Sequence, residues 1–564
     1  MLWYFLGGLV LVLIVFLGWQ RVLLSRAKHP SLAGHARLGR FVASLIPSLD
    51  YDDRSFFSAD GAPPATVEKR RAGFQRLAAV YSERYCQTVA LTAEIEGAIS
   101  DLQFTSRYRV PFQFSRKVRE QLRGGSFLQS SSGTTVTDLD GNRFYDLTGS
   151  YGVNLFGYEF YKDCIARGCD RARELGPVLG SYHPVVADNV RRLRELSGLD
   201  EVSLHMSGTE AVMQAVRLAR YHTRRRLIVR FCGAYHGWWG DVQPGVGNPI
   251  AARDTLTLRD LDEASLGVLR RHRDIACVLV NPLQALHPNA SAPGDSGLVD
   301  KRQSSPCDRA AYRAWLQRLR HVCSDRGIPL IFDEVFVGFR LARGGAQEYF
   351  GVHADMVAYG KTLGGGLPIG ALCGKRDLMR RFREDRPADI CFARGTFNSH
   401  PYVMGAMHEF LCRLDTMPIQ AIYRDLDAAW DRRARMLNER LRAMGFPVEV
   451  AHLSSIWTFN YLQSSRYNWM FQFYLREAGL ALSWIGTARL IFSLDYTDAD
   501  FTEVADRIVA AATAMRSDGW WWTDAALTSH SIRWRIAREL IHAGWARSFI
   551  GSMRSPRSRH SGAR

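Results

Sequence analysis

Four short apolar runs recur between about residues 200 and 375: LIVRF (227–231), IACVLVN (275–281), PLIFD (329–333) and DMVAY (355–359). Longer stretches with helical spacing separate them, and this alternation admits few folds. Brief β-branched strands joined through helices build a parallel sheet covered on its faces. Between the second and third runs, DRAAYRAWLQRLRHVCSDRG sets Tyr312, Trp315, Leu316, Leu319, Val322 and Cys323 on one helical face, with Gly327 placed to close the helix. In open α/β sheets ligands bind beyond the carboxyl ends of the strands. The polar residues at those ends are therefore the candidates for chemistry.

PLIFD ends in Asp333, followed by Glu334, and DMVAYG runs into Lys361 and then Gly364-Gly365-Gly366. Three glycines in a row are conformationally expensive unless the backbone must bend or approach something closely. A carboxylate delivered by a buried strand needs a cation or hydrogen-bond donors. Upstream, Ser207-Gly208-Thr209 opens a helix whose inner face is Val212, Ala215, Val216 and Ala219; its free N–H groups and positive dipole end suit a phosphate. After LIVRF, CGAYHGWWGD puts Tyr235 and His236 on a glycine-flanked turn, where an aromatic ring can lie against a planar ligand. Singly, each feature has a plain structural alternative: a salt-bridged Asp333, a helix cap at Ser207, a core Tyr235, a surface Lys361. Together they supply what pyridoxal 5'-phosphate requires, namely an amine, a partner for the pyridine nitrogen, a phosphate cradle and an aromatic plate.

With these residues in hand, the chain resembles the class III (fold type I) PLP-dependent aminotransferases, and within them the glutamate-1-semialdehyde aminomutase branch. SGTEAVMQAVRLAR, YHG, LIFDEVFVGFRLARGGAQEYFGVHADMVAYGKTLGGGLPIGALCG, RGTFNSHPYVMGAM and DLDGNRFYDLTGSYG carry the likeness, over about residues 105 to 515. It implies an α/β fold: a large domain around a mostly parallel sheet, and a smaller α+β domain assembled from both chain ends. It further implies that Lys361 forms the Schiff base, that Asp333 holds the pyridine nitrogen, and that Ser207, Gly208 and Thr209 hold the phosphate beside His236. Tyr235 would stack on the ring, and Thr396 would reach the phosphate of a neighbouring subunit in a homodimer with shared active sites. Tyr151 and Arg489 are candidate substrate residues. Phe336 stands where many relatives carry glutamine, and its apolar character leans toward the aminomutase branch. Asn281, Met206 and Tyr158 depart from usual residues of the family and bear on the substrate. No metal is implied.

The ends of the chain raise a separate expectation. Residues 2 to 19, LWYFLGGLVLVLIVFLGW, carry no charge, and without a basic leader or a cleavage site they read as an uncleaved transmembrane anchor over residues 1–24. The formal net charge is +17. Arg21, Arg26, Lys28, Arg37 and Arg40 follow the apolar run, which places the catalytic part in the cytoplasm as a single-pass membrane protein. The segment from Trp520 onward is also basic, with Asp524 and Glu539 its only acids, and shows Ile532, Ile536, Leu540, Ala543, Trp545 and Phe549 at helical spacing. Such a helix can lie in a membrane interface or pack on the body; both readings stay open. The ends suggest a lipid-like or long-chain amine or carbonyl substrate, and no recognition motif accompanies the charge to support nucleic acid. The ten cysteines show no C-x-x-C pair and read as free thiols. Expected divisions are an anchor (1–24), a linker and helical spacer (25–105), the first part of the small domain (106–185), the large PLP-binding domain (186–385), the rest of the small domain (386–515) and a basic aromatic tail (516–564).

Overall fold

The computed structural model describes residues 2–250, 252–289, 308–483 and 489–553. Leu128–Ser132 (β1), Thr135–Asp138 (β2) and Arg143–Asp146 (β3) form an antiparallel meander. A central sheet follows, made of Glu201–His205 (β4), Leu227–Phe231 (β5), Thr255–Leu258 (β6), Ile275–Val280 (β7), Leu330–Asp333 (β8), Met356–Gly360 (β9) and Gly370–Gly374 (β10). Its order is β4-β10-β9-β8-β7-β5-β6, parallel throughout except that β10 runs antiparallel to both β9 and β4. The four runs singled out in the sequence are β5, β7, β8 and β9, adjacent and parallel, each buried along its whole length. Strands buried on both faces read as continuous apolar runs, which is why these four were legible.

The helix Gly208–Thr223 packs on this sheet through Val212, Ala215, Val216 and Ala219, all buried. Arg309–Asp325 buries Tyr312, Trp315, Leu316, Leu319, Val322 and Cys323 as its spacing predicts, and Gly327 follows its end at φ +56°. The remaining strands are Val448–Leu453 (β11), Ile456–Tyr461 (β12), Leu480–Ala481 (β13) and Arg489–Ile491 (β14). β13 pairs in parallel with β3, so segments far apart in sequence complete one sheet.

Residues 25–105, expected as linker and spacer, are built into the body from Tyr51 onward. Phe56, Phe57, Phe74 and Tyr81 are buried. Phe56 packs edge-on against Phe74, Phe114 and Trp469. Arg70 and Asp60 form a fully buried pair at 2.7 Å, and Arg70 also donates to the carbonyls of Phe57 and Gly519. At the other end, the helix Ser529–Met553 packs on the same region. Ile532 is buried, Arg535 donates to Ala59 O at 3.0 Å, and Glu539 accepts from the Tyr51 hydroxyl at 2.5 Å and pairs with Arg466. Packing on the body is thus the outcome for this helix. The side chains of Trp545 and Phe549 lie outside the described residues.

The transmembrane expectation finds no support in the structure. Leu2–Ala27 is helical, but among the described residues no helix is long and apolar enough to cross a membrane. The C-terminal end of this helix docks on the large domain. Ala27 is buried, its carbonyl accepts from Arg259 N at 2.9 Å, and Arg271 lies over the Trp19 ring at 5.2 Å.

Candidate active site

The site forms where β8, β9 and the start of the Gly208–Thr223 helix converge. A Cβ on Gly360 would lie 3.1 Å from Val335 Cγ1 and 3.5 Å from Gly208 Cα, and one on Gly208 would lie 2.5 Å from Val335 Cγ1. Glycine at 208 and 360 lets the three segments touch. Ser207 caps the helix, its side chain accepting from Glu210 N at 3.3 Å while Glu210 Oε2 accepts from Met206 N at 2.9 Å. The first N–H groups of the helix, at Gly208 and Thr209, have no intrahelical acceptor by construction. The turn carrying Tyr235 and His236 lies against that helix start, for a Cβ on Gly237 would meet Thr209 Oγ1 at 2.5 Å.

Asp333 ends β8 and is buried; Val335 N donates to its Oδ1 at 3.2 Å, and its Oδ2 lies 2.8 Å from His236 Nδ1. Burial lowers the His236 pKa more than its contact with Asp333 raises it, so the ring is neutral and donates from Nδ1. His236 Nε2 is then a buried acceptor without a partner among the described residues. Glu334, adjacent in sequence, points elsewhere: it accepts from Ala346 N and Gln347 N, capping the Gly345–Phe350 helix, and burial pushes its carboxyl up to about 8.

Lys361 follows β9 at φ +48°, a left-handed conformation unusual for a side chain with a Cβ. Its ammonium donates to Tyr151 O at 2.5 Å and lies 4.9 Å from the centroid of Phe336. Burial pulls its pKa down to about 8; Arg340 and Arg489 push the same way, and Asp333 opposes them. The Tyr151 carbonyl is aimed there by two successive left-handed residues, Ser150 at φ 45° and Tyr151 at φ 57°. Gly365, at φ +61°, answers the glycine question, because a Cβ there would run into the Ala406 carbonyl of the Pro401–Arg413 helix.

Tyr235 is exposed, yet near enough for the Asp333 charge to act on its phenol. Asn281 Nδ2 holds the Tyr235 carbonyl at 3.0 Å. Arg489 opens β14 on the Lys361 side, and Thr396 lies exposed in the loop before the Pro401–Arg413 helix, not brought to Lys361 by any described contact in the single chain. Sequence reasoning missed Arg340. Fully buried, it donates to Ser455 Oγ, Phe492 O, Gly152 O and Asn154 O, pinning the turn that presents Tyr151. A cation inside the run VFVGFRLA was the available signal.

The profile of the class-III aminotransferases matches residues 118–242 and 298–512. The chain belongs to the class-III aminotransferase family. This aminotransferase is 34% identical over 350 residues to the glutamate-1-semialdehyde 2,1-aminomutase of Syntrophobacter fumaroxidans, covering 58% of this chain and 74% of that protein. It is 31% identical over 362 residues to that of Geotalea daltonii, covering 61% and 78%. Among solved structures, a transaminase with PLP bound aligns with a TM-score of 0.57 at 27% identity, over 70% of this chain and 91% of that one. A glutamate-1-semialdehyde aminomutase from Pseudomonas aeruginosa in complex with PMP shares the fold, with a TM-score of 0.64 at 16% identity, over 80% and 99%. The family aminotransferase is thus a PLP-dependent enzyme. The residues present fit that cofactor: a helix start with free N–H groups at Gly208 and Thr209, a buried carboxylate with its histidine and the Lys361 amine converge from four chain segments.

Proposed function

We propose that this enzyme moves an amino group from an amine donor to a carbonyl acceptor, with Lys361 carrying the proton. The observation that supports this reading is the setting of Lys361, an amine with its pKa drawn down to about 8, held on the Tyr151 carbonyl beside the Asp333–His236 pair. Pyridoxal phosphate, when bound, supplies an electron sink for the pair left behind when a proton leaves the carbon that bears nitrogen. Gly208 and Thr209 N–H groups, with the Ser207 cap, would hold its phosphate. Asp333 would hold its ring nitrogen, His236 would fix the carboxylate and Tyr235 would cover the ring. Thr396 would serve the phosphate of a second copy of the chain.

The residues then divide the work. Lys361 takes the proton at Nζ and returns it one position away, which a group titrating near neutrality does best. The Tyr151 carbonyl orients that amine, Arg340 keeps the Tyr151 turn in place, and Phe336 excludes water from beneath Nζ. Tyr151 and Arg489 are the proposed substrate contacts. The expectation of a lipid-like substrate has no counterpart among the described residues of this site.

A second reading, intramolecular amino transfer, is favoured by the apolar Phe336 beneath Lys361 and by the likeness to aminomutases. The test is the absorption spectrum of the purified full-length protein reconstituted with PLP. A visible band that bleaches on adding an amine, and is lost in Lys361→Ala, supports amino transfer; a folded protein without the band overturns it. Release of a free carbonyl product in a single turnover separates transfer to an acceptor from intramolecular shift.

A further inference from the structure

The helix Tyr158–Ala172 carries Tyr158 and Tyr161 three residues apart, on one face, toward the two segments that meet at Lys361. Tyr158 serves the acceptor segment. Its hydroxyl donates to Asp146 Oδ2 at 2.7 Å and accepts from Ser150 Oγ at 3.1 Å. Ser150 directly precedes Tyr151, whose carbonyl receives Lys361 Nζ. Tyr161 serves the donor segment. Its hydroxyl bonds Thr362 Oγ1, beside Lys361, and accepts from Leu155 N at 3.2 Å, just beyond the turn that carries Tyr151. Burial raises the pKa of both phenols, so both hydroxyls keep their protons.

The acceptor turn needs such support. Gly149, Ser150, Tyr151 and Gly152 are left-handed in succession, at φ 49°, 45°, 57° and 94°. Two of them carry a Cβ, which that conformation crowds against the backbone. A run of this kind persists only where its surroundings fix it. Arg340 fixes its exit through Gly152 O and Asn154 O. Its entry is fixed by Asp146, buried, which accepts from Thr148 N at 2.8 Å through Oδ1 and from Tyr158 through Oδ2. One carboxylate thus ties the chain ahead of the turn to the hydroxyl that holds Ser150. On the donor side Lys361 is itself left-handed, at φ +48°, and Thr362 is buried. A tyrosine that only filled the core would serve one segment. These two serve both partners of a single contact.

We propose that Tyr158 and Tyr161 are positioning residues for Lys361, a brace on one helix face that holds Nζ and the Tyr151 carbonyl against each other. The carbonyl orients the free amine. A hydrogen bond to the ammonium also favours the charged form, so the brace bears on where the amine titrates. Tyr158 is one of the residues that depart from the usual pattern of the family, and its link to Ser150 gives that departure a structural role. The contact exists apart from any reaction; its bearing on turnover rests on the amino-transfer reading.

Two measurements on the full-length protein separate these parts. Acetylation of Lys361 by acetic anhydride, followed across pH by mass spectrometry after the cofactor is removed, reads the titration of the free amine. Tyr158→Phe and Thr362→Val should each lower its midpoint by about half a pH unit or more, because the acceptor is no longer held on Nζ. Thr362→Ser keeps a hydroxyl for Tyr161 and should recover the midpoint that Thr362→Val loses. Ser150→Ala cuts the Tyr158 link at a less buried position and should act as Tyr158→Phe does, which keeps the test open if Tyr158→Phe folds poorly. A midpoint unchanged or raised in Ser150→Ala or in Thr362→Val overturns the brace, even where urea unfolding shows lost stability. In the holoenzyme, Ser150→Ala should lower kcat for an amine substrate about tenfold with KM little changed; a change carried by KM alone overturns the bearing on turnover. Failure of the amino-transfer reading looks different, since no amine would bleach the wild-type cofactor while the shifts in the acetylation midpoint remained.

Discussion

His236 Nδ1 and Asp333 Oδ2 stand 2.8 Å apart, joining the turn after β5 to the end of β8 across a buried contact. The neutral histidine donates to the carboxylate from Nδ1. Asp333→Asn preserves the shape and removes the charge, so turnover of any amine substrate should fall by about a hundredfold or more. His236→Gln leaves the charge but changes the donor geometry and should cost less. Steady-state rates at matched cofactor occupancy check both; an undiminished rate in Asp333→Asn rules out the electrostatic role.

Lys361 should titrate in the apoprotein near pH 8. Burial disfavours the ammonium, so the neutral amine, which is the nucleophile, is present at lower pH than for an ordinary lysine. At pH 7.5 roughly a quarter of the groups would be neutral, against about one in a thousand at the usual lysine value. The rate of reconstitution with PLP should therefore rise about tenfold per pH unit below 8 and level off above it. A rate still climbing at pH 9.5 would contradict the assignment.

Removing the Arg340 charge should move that midpoint upward, because a like charge nearby disfavours the ammonium. Arg340→Leu also strips the donor from the carbonyls of Gly152, Asn154 and Phe492, each costing about 1–3 kcal/mol if left buried. The combined expectation is a less stable protein whose reconstitution profile is shifted to higher pH. Stopped-flow absorbance across pH, with urea unfolding in parallel, reads out both.

Asp60→Ala should destabilise the protein by about 3–5 kcal/mol, because it strands Arg70, which is fully buried. Asp60→Leu combined with Arg70→Met should recover much of the loss, since neither charge then remains. Shifts of the urea midpoint for the single and double variants decide this.

The sequence exposed the parts of the fold whose signals are local. β5, β7, β8 and β9 are apolar from end to end, and the residues just past them, His236, Asp333 and Lys361, inherit their position from the strands. β4 and β10 were harder. EVSLH mixes polar with apolar residues, and GALCG reads as much like a turn as a strand, because its pairing with β9 and β4 supplies what its composition lacks. Arg340 was visible as a misplaced cation, but the four acceptors it serves come from three distant segments. Phe56 looked like part of a spacer because two of the rings that pack on it, Phe114 and Trp469, come later in the chain. The apolar run at residues 2–19 has the hydropathy of a lipid-facing helix, and hydropathy carries no record of the docking at Ala27.

That docking has a mechanical meaning. Ala27 is fixed to the large domain through Arg259, while Tyr51 is fixed to the other side of the molecule by Gln113 O, Glu539 and the Phe114 ring. Arg40 makes a further attachment on the way, to Pro249 O. The segment from Ala27 to Tyr51 is therefore moored at both ends and once between, which stitches the first helix to parts of the body that lie far apart in sequence.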